Sequence, residues 1–230
     1  MSIRMFKVGG AVRDGLLGIK SKDIDFAVEA PSFEAMQEHV TKTCKQVFLI
    51  KPEFLTIRAL HKELGAVDFV MCRKDGIYSD GRRPDSVEPG TILDDLKRRD
   101  FTVNAMAIDE EDNLLDPFNG QEDLKNKLIR CVGSAEERFN EDSLRILRAI
   151  RFSITKGFGL DDEIWDILFS PKIWVPKLES ISQERIQQEI HKCLAHDTVQ
   201  TLDFLRSISR LWTTAIFSQG LWLKPTKEQV

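Results

Sequence analysis

Apolar and polar positions change their spacing several times along the first 130 residues, and each change predicts a new element. Alternating or short continuous apolar runs predict strands, and apolar positions three and four residues apart predict helices. The predicted strands cover residues 5–8, 22–28, 46–50, 54–61, 65–72 and 101–108. The predicted helices cover residues 11–17, residues 32–43 with Ser32 as N-cap, and a short segment that Thr91 caps. This alternation predicts an α/β fold.

From Ser134 the pattern changes to helices only, which divides the chain into residues 1–133 and 134–230. The predicted helices of the second part cover residues 142–151, 162–169, 182–195 and 198–210. Two segments have no apolar period. Residues 73–90 are rich in glycine, proline, aspartate and arginine and predict a mobile loop around Arg82 and Arg83, and residues 218–230 are expected to fray.

The composition is ordinary for a soluble protein, with 42% of the 230 residues hydrophobic and 30% charged. The net charge of −4 excludes a global positive field, so an RNA partner would need local clusters of lysine and arginine. No apolar run is long enough for a membrane span or a signal peptide. Four scattered cysteines without a C-x-x-C pair predict reduced thiols, no disulfide-linked partner and a cytoplasmic protein. His191, Cys193 and His196 lack a second ligand cluster, so we do not expect zinc there.

A glycine pair lies where the first predicted strand meets the first predicted helix. Gly9 and Gly10 leave backbone N–H groups free at the start of the helix, where these groups suit a phosphate. Arg13 adds a positive charge in the first turn. A glycine pair is also typical of a simple tight turn, so this pattern alone does not decide between the two.

Three carboxylates fall within the predicted strands. Asp23 and Asp25 are two residues apart, which places both on one face of a strand, and like charges this close favour a cation between them. Carboxylate oxygens select Mg²⁺, which binds a few carboxylates together with substrate phosphates. Asp68 interrupts the apolar run of residues 66–71, where a carboxylate is costly unless it is paired or bound to metal. We therefore predict a metal site at Asp23 and Asp25 with Asp68 as the third ligand, although a D-x-D pair alone is more often structural.

Four polar residues recur at every third position of the predicted helix 142–151, namely Asp142, Arg145, Arg148 and Arg151. Side chains three residues apart are neighbours on a helix, so these residues form a winding row beside an apolar stripe. A carboxylate beside a guanidinium offers acceptors and forked donors, which suits the edge of a nucleobase followed by phosphates. A solvated row of ion pairs is the alternative for any such helix.

Six motifs in a fixed order resemble those of class II tRNA nucleotidyltransferases and bacterial poly(A) polymerases. They occupy residues 9–25 (GGAVRD, then LLG and DID), 75–84 (DG, then YSDGRRP), 95–107 (DLKRRDFTVNAMA), 116–124 (DPF, then G and DL), 141–152 (EDSLRILRAIRF) and 182–189 (SQERI, then E). The match covers roughly residues 6–195, and so many long motifs in one order argue against chance.

The resemblance implies a head of the polymerase-β-type nucleotidyltransferase fold, with a mixed sheet in residues 1–133, and an all-helical neck in residues 134–230. It implies that the catalytic carboxylates are Asp23, Asp25 and Asp68, with the first two binding a pair of Mg²⁺ ions. It implies that nucleotide is bound by Gly9, Gly10 and Arg13 at the triphosphate, by Arg99, Asp100 and Asn104 at the ribose and the junction with the neck, and by Asp142, Arg145, Arg148 and Arg151 at the base and along the nucleotide.

The activity implied is template-independent RNA 3′-nucleotidyl transfer, which adds CCA or part of it to tRNA 3′ ends from CTP and ATP. A poly(A) polymerase of the same family is the first alternative, because the two classes share every motif above. A nucleotide-binding module without catalysis is the second. Members of the family usually continue into helical body and tail domains, so a chain truncated after the neck is expected, with its oligomeric state open.

Overall fold

A computed structural model of the chain describes residues 3–21, 23–76 and 86–218. These residues form two compact units. The first unit contains the described residues up to 126 together with 130–133, and the second contains residues 127–129 and those from 134 onward. The functional division into a head and a neck stays a prediction.

The first unit contains nine strands and four α-helices among its described residues. The strands are β1 (Arg4–Val8), β2 (Ile24–Glu29), β3 (Gln46–Lys51), β4 (Thr56–His61), β5 (Gly65–Met71), β6 (Arg73–Asp75), β7 (Val87–Pro89), β8 (Ala107–Ile108) and β9 (Leu114–Leu115). The helices are α1 (Gly10–Leu16), α2 (Phe33–Thr43), α3 (Ile92–Lys97) and α4 (Gly120–Lys125), with 3₁₀ turns at Pro52–Phe54 and Thr102–Asn104.

Seven of these strands form one mixed sheet in the order β3-β4-β5-β2-β1-β8-β9. Strands β2 and β5 pair in parallel, and the other neighbours pair antiparallel. The predicted α/β head with a mixed sheet is confirmed.

Alternation along the strands separates a packed face from a polar one. Ile57 of β4, Phe69 of β5 and Met36 of α2 belong to one buried apolar cluster. Since successive side chains of a strand point to opposite faces, Arg58 and Asp68 point away from that cluster. The alternation therefore places charged residues of β4 and β5 on the same face of the sheet.

Helix ends in this unit follow the predicted caps. The Ser32 side chain accepts a hydrogen bond from the Ala35 N–H at 3.2 Å, as expected of an N-cap. Thr91 and Asp94 form a reciprocal capping box at the start of α3. These caps fix the starts of α2 and α3.

Two predicted elements of the first unit are wrong in part. The predicted strand 101–108 is an isolated bridge at Phe101, then a 3₁₀ turn, and only β8 joins the sheet. The Thr102 N–H donates to the Arg130 carbonyl at 3.0 Å, and the Ala105 N–H donates back to the Thr102 carbonyl at 2.9 Å, so this backbone does not pair with the sheet. The ends of the predicted loop 73–90 pair as β6 and β7, while Arg82 and Arg83 lie outside the described residues.

The second unit contains helices and one pair of two-residue strands. The strands are β10 (Leu128–Ile129) and β11 (Gly159–Leu160), which pair in parallel. The helices are α5 (Ala135–Glu141), α6 (Leu144–Lys156), α7 (Asp162–Leu168), α8 (Pro171–Trp174), α9 (Gln183–His196), α10 (Thr198–Ile208) and α11 (Arg210–Phe217), with a 3₁₀ helix at Val175–Ser180. The expectation of an all-helical second part is therefore wrong at the strand pair, which a hydrogen bond from the Gly159 N–H to the Lys127 carbonyl at 2.7 Å extends.

Buried side chains of α6, α7 and α11 contribute to the core of this unit. Ile146 and Ile150 of α6 are fully buried. The Trp212 indole is also fully buried, and its N–H donates to the Leu168 carbonyl at 2.8 Å. The expected fraying of residues 218–230 concerns a stretch that lies outside the described residues beyond Ser218.

All four cysteines are free and buried, as predicted for reduced thiols. Burial raises the pKa of Cys193 to about 12, so its thiol is protonated at neutral pH. In the described part of the chain, no helix has both the length and the apolar character that crossing a bilayer requires.

Candidate functional site

Two of the predicted carboxylates lie side by side on the mixed sheet. Asp25 of β2 is the register partner of Asp68 of β5. Strand β2 begins at Ile24, so Asp23 lies one residue before the strand and not within it as predicted. Its charge still reaches Asp25, as the pKa of Asp25 shows.

Asp25 has both carboxylates and guanidiniums as neighbours, and these shift its pKa in opposite directions. Partial burial raises the pKa of Asp25, and the carboxylates of Asp68 and Asp23 raise it further. The guanidiniums of Arg99 and Arg58 lower the pKa, but the net shift is upward. A divalent cation would relieve this repulsion, so the donor set fits Mg²⁺ by its chemistry. Over the described ranges, no three acidic, histidine or cysteine side chains already form a group arranged to hold a metal.

Asp68 has a cationic neighbour on its other side. Arg58 of β4 is its register partner, with Nε 3.7 Å from the Asp68 Oδ1. The Asp68 side chain is 33% exposed, so it is not fully buried in the strand as expected. Exposure to solvent, together with this cationic neighbour, explains why a carboxylate is tolerated at this position.

The glycine turn between β1 and α1 is closely packed against an arginine. Gly9 adopts a left-handed φ of +67°, which disfavours any residue with a side chain. A Cβ at Gly9 would lie 2.9 Å from Nη1 of Arg99, whereas a Cβ at Gly10 would lie at 3.5 Å from Nη2 of Arg13. The structure thus brings Gly9, Gly10, Arg13 and Arg99 close together, and their role in one nucleotide site stays a prediction. Gly9 in particular is required because the Arg99 guanidinium occupies the space beside it.

Arg13 faces the protein interior. Its side chain is buried, and Nη1 donates to the Asn104 Oδ1 at 2.6 Å while Nε and Nη2 donate to Asp14. Asn104 in turn donates to Asp100 Oδ1 at 3.1 Å. The structure therefore joins three of the predicted nucleotide-binding residues, Arg13, Asn104 and Asp100, in one buried hydrogen-bond network.

Arg99 is held by a buried carboxylate that sequence reasoning missed. Its Nη2 donates to the Asp95 Oδ2 at 2.8 Å, and Nη1 donates to the Asn104 carbonyl at 3.3 Å. Asp95 is 1% exposed and also pairs with Arg98. Burial alone would raise the pKa of Asp95, but the guanidiniums of Arg99 and Arg98 outweigh it and hold that pKa below its usual value. Asp95 was recognisable from its four-residue spacing to Arg99, which follows the end of α3.

The polar row of the second unit differs from the predicted one. Asp142 adopts extended backbone between α5 and α6, so α6 begins at Leu144 and Asp142 is not on the helix. Its Oδ2 accepts from Nη2 of Arg185 on α9 at 2.7 Å. Arg145 instead donates to Glu141 Oε2 at 2.7 Å. The expected direct pair of Asp142 with Arg145 is therefore replaced by two separate ion pairs.

The C-terminal residues of the row, Arg148 and Arg151, face α9. Arg151 pairs with Glu189, a buried carboxylate of α9 that also pairs with Lys192. Burial would raise the pKa of Glu189, but the charges of Arg151, Arg148 and Lys192 hold it below its usual value. Arg148 and Arg151 thus lie next to the same carboxylate, and the ion pairs help to join α6 to α9.

A sheet of this topology, with carboxylates in register beside a glycine turn, defines a head of the polymerase-β type of nucleotidyltransferase. Residues 5–130 match the family described as the poly A polymerase head domain, which is more than half of the chain. The chain belongs to this family.

Several proteins similar to this chain have known roles. The CCA-adding enzyme of Geobacillus kaustophilus is 40% identical over 189 residues, which are 82% of this chain and 45% of that enzyme. The crystal structure of the Bacillus stearothermophilus CCA-adding enzyme in complex with CTP has a TM-score of 0.76 at 34% identity, covering 91% of this chain and 49% of that one. The Thermotoga maritima CCA-adding enzyme complexed with tRNA has a TM-score of 0.72 at 28% identity, covering 97% and 50%. The chain thus spans slightly less than half the length of the curated relatives that it matches.

Proposed function

We propose that this protein is a template-independent RNA 3′-nucleotidyltransferase that adds CCA, or part of it, to tRNA 3′ ends from CTP and ATP. The observation that carries the proposal is the Asp25–Asp68 register pair beside the Gly9 turn. Membership of the head-domain family and the likeness to CCA-adding enzymes support it. In the reaction the RNA 3′-hydroxyl attacks the α-phosphorus of the triphosphate, a new phosphodiester bond forms, and pyrophosphate leaves.

Asp23 and Asp25 would hold two Mg²⁺ ions, with Asp68 beside them. Burial and the carboxylates of Asp68 and Asp23 raise the pKa of Asp25 in spite of two nearby guanidiniums, which supports this assignment, because carboxylates clustered in this way fit a cation site. When bound, such metals lower the pKa of the attacking hydroxyl and neutralise the leaving group. The protein contributes the position and the charge of the carboxylates, which is most of what this chemistry needs.

The triphosphate side of the site would lie at the glycine turn. Gly9 and Gly10 present backbone there, and Arg99 supplies a guanidinium that Asp95 orients. Arg13 would act mainly through Asn104 and Asp100, since its side chain is buried and bonded to Asn104. Asn104 and Asp100 would position the ribose.

Base selection would fall to Asp142 and Arg145, with Arg148 and Arg151 along the nucleotide. Arg185 fixes the Asp142 carboxylate, and Glu141 fixes the Arg145 guanidinium. A carboxylate and a guanidinium that are held in place can discriminate bases by hydrogen bonding, because a wrong base leaves polar groups unpaired. Free cysteines agree with a reducing, cytoplasmic location for such an enzyme.

The test is sequencing of RNA 3′ ends after incubation with tRNAs that end at the discriminator base, at C and at CC. Each tRNA is offered CTP, ATP and all four nucleotides together. The proposal expects C, C and A to be added and the reaction to stop. Open-ended A tracts on generic RNA would instead establish the poly(A) polymerase alternative.

Catalysis itself is tested at Asp25. Asp25→Ala should lower the rate of CTP and ATP incorporation by at least ~10³-fold, because the loss of one metal-binding carboxylate removes several kcal/mol of transition-state stabilisation. Asp203→Ala on α10 is a control, since that carboxylate is 67% exposed in the second unit. If both variants incorporate nucleotide at the same rate, the metal assignment is wrong.

A further inference from the structure

One arginine beside the carboxylates has no role in the function proposed above. Arg58 of β4 is the register partner of Asp68, which is the partner of Asp25, which is the partner of Val8 at the end of β1. These four residues form one line across four adjacent strands. The carboxylates occupy the middle of the line, with the glycine turn at one end and Arg58 at the other.

The Arg58 guanidinium is held only loosely. Its Nε lies 3.7 Å from the Asp68 Oδ1, which is beyond hydrogen-bond distance, and within the described residues this is its one ion pair. The side chain is 49% exposed. An exposed pair at this distance contributes little to stability. The forked donors of Arg58 therefore stay available to a ligand that reaches this face of the sheet.

The surface beyond Arg58 is open at the edge of the sheet. Leu49 of β3, the register partner of Arg58, is 42% exposed. A β-bulge between Val47 and Leu49 bends the edge strand here, and bulges are frequent next to active sites. Ala66 of β5 is exposed as well. An apolar strip with one arginine at its inner end fits a nucleotide, whose base is flat and apolar and whose phosphate is charged.

A guanidinium lies toward each end of the line. Arg99 lies beside Gly9, and Arg58 lies beside Asp68. The carboxylates thus lie between two guanidiniums. In an in-line displacement the attacking and the leaving oxygen occupy opposite sides of the reacting phosphorus. With the triphosphate on the Gly9 side, the attacking RNA strand approaches from the Arg58 side.

We infer that Arg58 binds the phosphodiester next to the 3′-terminal nucleotide of the acceptor RNA, with that nucleotide lying on the β3–β4 edge. The inference rests on the proposed function and adds a residue for the second substrate. Arg58 is a positioning residue, since it contacts the RNA backbone away from the reacting atoms. A single arginine–phosphate contact contributes affinity and orientation without reading sequence.

The test compares Arg58→Gln with Arg4→Gln. Arg4 is a matched control on the same sheet, with a side chain 54% exposed and an ion pair to Glu29 of the adjacent strand at 3.4 Å. Two acceptor minihelices are used, one natural and one with a neutral methylphosphonate at the last internucleotide linkage. Binding is followed by fluorescence anisotropy over a range of salt, and KM is measured separately for minihelix and for CTP.

Arg58→Gln should weaken minihelix binding and raise its KM by about 10-fold, while KM for CTP stays unchanged. The slope of log K against log salt should fall by about 0.7, the value for one phosphate contact with a single strand. The methylphosphonate should weaken minihelix binding to the wild type by a similar factor, and it should not weaken binding to the Arg58→Gln variant any further. Arg58→Lys should keep the salt slope, and Arg4→Gln should match the wild type throughout.

Additive losses from Arg58→Gln and the methylphosphonate would overturn the inference, because two groups in contact must show coupling. A rise in KM for CTP with no change for the minihelix would also overturn it and would assign Arg58 to the triphosphate. If the wild type transfers no nucleotide, the proposed function fails, and the binding cycle still decides whether Arg58 contacts this phosphate.

Discussion

At the scale of single residues, Asp95 has the clearest structural role. It is almost fully buried and yet ionised, because two guanidiniums surround it. It does not touch the space in front of Gly9, but it determines where the Arg99 guanidinium lies. Buried carboxylates of this kind stabilise the fold only while their partners remain in place.

Asp95→Asn should lower the free energy of unfolding by about 3 kcal/mol, because Arg98 and Arg99 would keep their charges without a counter-ion. The thermal midpoint should fall by roughly 6–12 °C. The pKa of Asp95 is depressed in the folded state, so its stabilisation is present above about pH 4 and is lost as the pH falls through the folded pKa. The difference between variant and wild type should therefore shrink in acid. Asp203→Asn, at an exposed pair, should change stability by less than about 0.5 kcal/mol.

Alanine substitutions at Gly9 and at Gly18 distinguish the effect of backbone strain from a steric effect on Arg99. Gly9→Ala should lower the free energy of unfolding by about 1–3 kcal/mol, because a φ of +67° with a ψ of −131° disfavours a side chain, and should also raise KM for CTP by displacing Arg99. Gly18→Ala is the control for a positive φ, since Gly18 has a φ of +71° but has no atom within 4 Å of a built Cβ. The control should lose stability as well while KM for CTP stays constant. Equal effects of the two variants on KM would exclude the role assigned to Arg99.

At the scale of elements, most strands and helices were predictable from local pattern. Strands β1, β3, β4 and β5 and helix α2 lie within a few residues of their predicted bounds, because alternation and caps are local signals. The prediction of one strand over residues 101–108 is wrong, since the Thr102 N–H bonds to the Arg130 carbonyl in a distant part of the chain. The ends of segment 73–90 pair with each other as a narrow two-stranded sheet with no apolar period to reveal it.

Some residues of the candidate site could be found from the sequence, and others could be found only from the fold. Asp25 and Asp68 stand out in the sequence because a carboxylate conflicts with an apolar strand, and Gly9 stands out because its pair lies between a predicted strand and a predicted helix. Arg58 and Arg185 did not stand out, since their significance comes from partners that only folding brings close. The helix at 142–151 was placed two residues early because Asp142 ends α5 in extended backbone, where its side chain accepts from the Leu144 N–H at 3.1 Å, and α6 begins only at Leu144.

Asp142 lies between α5 and α6, where its carboxylate pairs with Arg185 of α9, and this ion pair can be tested by mutating both residues. A double-mutant cycle with Asp142→Asn and Arg185→Gln should give a coupling of about 1 kcal/mol in stability. Asp142→Asn should also relax the choice of base more than it weakens triphosphate binding, and Arg185→Gln should do the same to a smaller extent. The measurement is the ratio of kcat/KM for CTP and ATP to that for GTP and UTP. A uniform loss for all four nucleotides would make the pair purely structural.

At the scale of the whole molecule, every carboxylate proposed to bind metal belongs to the first unit. Saturating Mg²⁺, at 100 times its Kd, should stabilise this unit by about 2.7 kcal/mol. Hydrogen exchange should therefore show slower exchange in β2 and β5 on addition of Mg²⁺, and no change in α9.

Asp25→Asn supplies the control, because it removes a repelling charge from the cluster. The metal-free variant should be more stable than the metal-free wild type by about 0.2–1 kcal/mol, as expected when like charges on neighbouring strands are separated. It should also show no effect of Mg²⁺ on exchange. Protection by Mg²⁺ that persists in the variant would place the cation elsewhere.

The chain passes between the two units three times within a few residues, after residues 126, 129 and 133. The residues of β10 are therefore synthesised before the first unit is complete, and β10 can pair only after Gly159 and Leu160 have also been synthesised. During synthesis on the ribosome, the first unit closes only when Gly133 has emerged. For the same reason, a single recombination point between residues 126 and 134 could not exchange one unit for a foreign one: it would divide either residues 130–133 from the first unit or β10 from the helices it belongs to.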